Sequence, residues 1–175
     1  MRIPALALLA LVLSAPSAYA ASAWQEHVYE DQGFAIQFPG TPRIEPGTFT
    51  SVRAGDFPAT IYEVEFENVV YRMTVVDLSD RAGEGGNFMG EVAYFLMREG
   101  EVVFNDFPRV DNAQRGVFGI GMVVDTEDGR RIRSSIYFHR GRLYRADAIV
   151  LPARGDKDQA VPSRFEQTLR FNVGG

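Results

Sequence analysis

The sequence predicts an α+β fold, a twisted and mainly antiparallel sheet with helices packed on its faces. Three observations carry this expectation. Residues 116–152 hold three consecutive strand-like runs joined by two tight turns. The third run is apolar on both sides, with Leu143, Ile149 and Leu151 alternating against Tyr144, Ala146, Ala148 and Val150, so it must be covered on both faces. Elsewhere Phe88, Val92, Phe95 and Leu96, and again Phe165 and Leu169, recur at helical spacing and supply the cover.

In chain order, Met1 and Arg2, the apolar run from Ala5 to Leu13 and the small-residue end Ala18-Tyr19-Ala20 read as a signal peptide over residues 1–20. That apolar run is too short to span a bilayer. There is no cysteine, so disulfides and cysteine-linked lipid are both excluded. The expectation is an exported chain, periplasmic or secreted, with no stable membrane anchor and with stability drawn from burial alone. Residues 21–31 read as a lead-in and residues 32–173 as a single domain, long enough for one core. Eighteen basic side chains stand against 23 acidic ones, a balance unsuited to sequence-independent binding of nucleic acid. Oligomeric state has no signature in the sequence.

Gly33 to Phe38 alternates as a strand and stops at the turn Pro39-Gly40-Thr41-Pro42, with a short strand expected over Arg43 to Glu45. A hairpin turning at Glu67-Asn68 sets Phe66 opposite Val69, Val64 opposite Tyr71 and Tyr62 opposite Met73. Its other face pairs Glu63 with Arg72, read as an ion pair on a solvated sheet face. The run from Asp80 to Asn87 is expected to be a flexible loop, with Asn87 capping the helix that follows and Gly100 stopping it. The glycines of that run do not make a phosphate cradle, because Glu84 would repel the anion and the P-loop lysine and hydroxyl are missing. Val102 to Phe107 reads as one more strand, ended by Pro108.

The first turn of the central stretch, Glu127-Asp128-Gly129, is expected to be a three-residue loop with glycine in the left-handed position. Only that register sets Asp125 opposite Arg131 while aligning Ile120, Met122 and Val124 with Ile136, Ser134 and Ile132 on one face. After the polar run Gly155 to Ala160, a helix is expected from Pro162, and Phe171 and Val173 close the chain in extended form.

Several of these segments together resemble the PsbP-like superfamily. They are the strand and proline-rich turn GFAIQFPGTP, the hairpin segment HRGRLYRADA, and the last helix with Arg164-Phe165 running into Leu169 and Phe171. The group includes the extrinsic PsbP protein of photosystem II, a Ran-binding nuclear import factor and many exported bacterial proteins. The resemblance spans about Gln32 to Val173. It implies an α/β/α sandwich and a non-catalytic accessory or binding role on a larger assembly, which for a chain expected to be exported is a protein or complex of the cell envelope. It carries no catalytic residues and no cofactor.

The remaining candidates come from the residues themselves. Ser134, Ser135, His139 and Asp147 supply the side-chain types of a hydrolase triad, but no glycine-flanked elbow surrounds either serine. They read as a turn histidine and sheet serines, and the chain as no enzyme, with a hydrolase that leaves no recognisable motif as the alternative. His27 and His139 are far apart and no cysteine joins them, so no metal site is expected; Asp125, Glu127 and Asp128 read as a solvated hairpin tip. Arg131, Arg133, Arg145, Arg140 and Arg142 form the leading binding candidate, a basic face for an acidic partner, set against the plainer reading of an ion-paired sheet edge. The aromatics Phe88, Tyr94, Phe95, Phe118, Tyr137, Phe138 and Tyr144 raise the alternative of a carrier with a cavity between helix and sheet for a small apolar or carboxylated ligand.

Overall fold

The structure, a computed structural model, describes residues 24–110, 116–151 and 160–171. The proposed signal peptide, most of the polar run after Gly155 and the closing Val173 lie outside these residues. The strands are β1 (Gln25–Tyr29), β2 (Phe34–Phe38), β3 (Arg43–Ser51), β4 (Gly55–Phe66), β5 (Val69–Asp77), β6 (Gly100–Asp106), β7 (Arg109–Val110), β8 (Val117–Thr126), β9 (Arg131–His139), β10 (Arg142–Val150) and β11 (Arg170–Phe171). The helices are α1 (Gly85–Met97) and α2 (Ala160–Gln167).

A large sheet runs in the order β3-β4-β5-β10-β9-β8-β6, with β7 also paired to β8, and every pairing is antiparallel. Both expected hairpin registers are present. Asp125 faces Arg131 across a loop whose Gly129 has φ of 85°, and Phe66 faces Val69 across Glu67-Asn68. The turn between β9 and β10 is a two-residue loop, Arg140-Gly141, with φ of 48° and 76°, the positive pair that matches strand twist.

β10 is covered on both sides. Leu143 and Ile149 join one core with Val76, Leu78, Val92 and Leu96 under α1. Tyr144, Ala146, Ala148 and Val150 join the other, with Phe34, Phe38, Phe165 and Phe171. The α+β class and the sandwich therefore hold, with one addition. The second outer layer is α2 together with a small sheet, β1-β2-β11, made from the two ends of the described chain.

Four expectations are corrected. The lead-in before residue 32 contains β1, whose five residues lack apolar alternation and are held by pairing with β2. The short strand at Arg43 is nine residues long, because the first half of β4 offers it a partner. Asn87 does not cap α1. The segment before it is a 3-10 turn at Ser79–Glu84, and the helix begins at Gly85, which packs so tightly on the Phe138 ring that a Cβ would lie 2.2 Å from it. Finally, α2 begins at Ala160, two residues before Pro162, which its first turn accommodates because an N–H there has no helical acceptor.

Candidate functional site

Helix α1 packs on β6, β8, β9 and β10, and among the described residues no helix lies above the same face of β3, β4 and β5. Its buried side is Phe88, Val92, Ala93 and Leu96; Phe95, expected on that side, stands 41% exposed at the margin. The β3–β4 loop is clipped to the helix by Glu91, whose carboxylate accepts hydrogen bonds from the Ser51 hydroxyl at 2.7 Å and the Val52 N–H. Phe49 and Phe57 close the same end by meeting Phe88 edge-on. Between this wall and the helix lies a cleft of about 300 Å³. Phe49, Ile61, Val76, Val92, Phe95 and Leu143 give it apolar walls, and Thr48, Thr50, Thr74, Arg72, Arg145 and Asp147 give it polar ones.

Register brings the polar side chains together. Arg43, Glu63, Arg72, Asp147 and Ser134 are successive cross-strand partners on β3, β4, β5, β10 and β9, forming one polar row across the face. Arg72 donates from Nε to Glu63 Oε2 at 2.6 Å, and Arg43 reaches Oε1 of the same carboxylate at 3.3 Å. Asp147 is 1% exposed and accepts from Arg145 Nε at 2.9 Å. Burial works against the Arg145 charge, and the adjoining Asp147 carboxylate outweighs it, so the guanidinium is held above its ordinary range. The two terminal nitrogens of Arg145 make no hydrogen bond to another described residue. Ser134 is wholly buried and its hydroxyl has no partner among the described residues.

The five arginines do not form one basic face. Arg131 and Arg133 project to the α2 side, where Arg131 binds Asp125 through two bonds of 2.5 and 2.6 Å and Arg133 donates to Glu166 of α2 at 2.6 Å. Arg145 is opposite Ile136, so it points to the α1 side. Arg140 and Arg142 stand at the turn, about 27 Å along the strand from Arg131 at ~3.4 Å per residue. Arg142 lies 3.9 Å from Asp77, and Arg140 is exposed. The two-residue turn was the available signal, since it fixes Arg145 against Ile136.

The triad candidates are likewise divided. Ser134 and Asp147 are neighbours on the α1 side, whereas Ser135 donates to Glu166 at 2.5 Å on the α2 side. His139 also faces that side, with its ring 5.1 Å from Phe171. Among the described residues no three His, Asp or Glu side chains gather in a way that would hold a metal ion. At the hairpin tip, the Thr126 hydroxyl and Arg130 bond to Asp128 and hold its carboxyl below the usual range.

No family model matches the chain, and no curated protein is significantly similar in sequence. Its structure is similar to the solution structure of cyanobacterial PsbP (CyanoP) from Synechocystis sp. PCC 6803, with a TM-score of 0.54 and 14% identity. The match covers 91% of this chain and 98% of that one. At that identity the likeness is one of fold.

Proposed function

The chain has the PsbP-like fold, and from that premise we propose that it is a non-catalytic binding protein, exported by its leader, that docks on a protein partner of the cell envelope. A fold by itself names no partner. The observation that supports docking is an aromatic corner where β6, β7 and β8 meet. Phe107 is 81% exposed and Phe118 62%, and Arg109 lies over the Phe118 ring at 5.6 Å. Aromatic side chains flanked by arginine are enriched at protein interfaces, and large apolar groups left in water together mark such surfaces. This corner replaces the divided arginines as the expected contact.

The test is affinity capture from the native envelope extract with tagged mature protein, beside a Phe107→Asp/Phe118→Asp variant and an Arg131→Glu/Arg133→Glu variant. One stoichiometric partner, lost with the aromatic variant and kept with the arginine variant, supports the reading. Equal capture by all three, or no partner, overturns it.

A further inference from the structure

We propose that the cleft beside α1 binds a small monocarboxylate with an apolar body, its carboxylate received by the unengaged terminal nitrogens of Arg145. Arg72 is met by Glu63 and Arg145 by Asp147, with Glu99 also acting on Arg145, so the sign of the ligand rests on the unengaged donors of Arg145 and not on a surplus of positive charge. A guanidinium holding its Nε on Asp147 presents a planar fork to a second acceptor, the geometry that suits a carboxylate.

The setting strengthens that contact. Asp147 is fixed by burial and by Arg145, so the guanidinium is oriented before a ligand arrives. Next to Asp147 in the register, the polar row closes on Ser134, which is buried outside the lining of the cleft. Thr74, opposite Arg145 on β5, adds a hydroxyl to the lining. The rest of the lining is apolar, with Phe49, Ile61, Val92 and Phe95 around the space a ligand body would fill. A volume of about 300 Å³ is at the small end for ligand sites and selects a short acyl chain or a single ring.

The experiment is a titration of isotope-labelled mature protein with octanoate and with phenylacetate, followed by amide NMR shifts, with octanol and phenylethanol as uncharged counterparts. Saturable shifts at Thr74, Val92, Phe95 and Arg145 are expected, with the alcohols weaker by about tenfold or more, since hydrogen bonds to a charged group are the strong ones. Arg145→Gln/Asp147→Asn removes the ion pair together and leaves no lone charge. Phe95→Glu leaves that pair intact and adds a repelling carboxylate on the exposed wall. Each should lower carboxylate affinity by about tenfold or more. Absent shifts, shifts confined to another surface, alcohols that bind as well as acids, or unchanged binding by a folded Phe95→Glu protein would overturn the proposal. The Phe107→Asp/Phe118→Asp variant should keep octanoate binding, so partner docking and ligand binding fail or succeed separately.

Discussion

Asp147 shows how much a single buried charge depends on its neighbours. It is 1% exposed, and Arg145 provides its hydrogen bond at 2.9 Å. Truncation by Asp147→Ala removes a buried charge-assisted bond to a guanidinium whose side chain is 28% exposed, a change expected to lower the unfolding free energy in urea by about 1.5–3 kcal/mol. Arg145→Met/Asp147→Leu removes both charges and should destabilise far less, because neither is left uncompensated. Three tyrosines give a second test. Burial pushes Tyr29, Tyr71 and Tyr137 up to about 12, with the neighbouring Tyr62, Glu67 and Glu166 respectively adding to the effect. The folded value lies above the unfolded value of 10.0, so the fold favours the neutral phenol. That contribution is fully present below about pH 10 and is lost as pH rises toward 12. Phenolate absorbance from these rings should therefore rise together with loss of the circular dichroism signal, and a rise that precedes unfolding would refute it.

Among the elements, α1 departs most from local expectation. Asn87 has the chemistry of a cap, but the helix starts where Gly85 lets the backbone sit on Phe138, and tertiary contact overrides the capping preference. Gly85→Ala should cost about 1–3 kcal/mol by overpacking. Phe138→Leu should recover part of that loss if the ring is the obstacle, measured by thermal unfolding of the single and double variants. The hairpins behave differently. Their registers were legible because apolar pairs, a turn glycine and an ion pair such as Asp125 with Arg131 all favour the same alignment within a few residues. Arg145 was misplaced for want of the second turn. Once Arg140-Gly141 is a two-residue loop, parity alone puts Arg145 on the face opposite Arg131 and Arg133.

At the scale of the whole molecule, the two cores meet at β10, and the second is sealed by segments from both ends of the described chain. Phe165 is 1% exposed, with its ring 5.0 Å from Phe38 and 5.4 Å from Tyr71, and the Thr168 hydroxyl accepts a hydrogen bond from the Gln37 N–H at 3.0 Å. Phe165→Ala opens a cavity between α2, β2 and β5 and should lower stability by about 3–5 kcal/mol in denaturant titration. A loss under about 1 kcal/mol would mean that α2 is not part of the cooperative core.

By itself the sequence determined the β4–β5 and β8–β9 hairpins, the two-sided burial of β10, the helical stretches and the resemblance that named the fold. All of these rest on alternation and turn chemistry among residues close in the chain. Tertiary structure alone decided that β5 lies beside β10 and β2 beside β11. Those pairings are made between segments distant in sequence, where several partners satisfy the same local pattern and only shared burial selects one. The cleft, the polar row from Arg43 to Ser134 and the sealing of the second core follow from that selection.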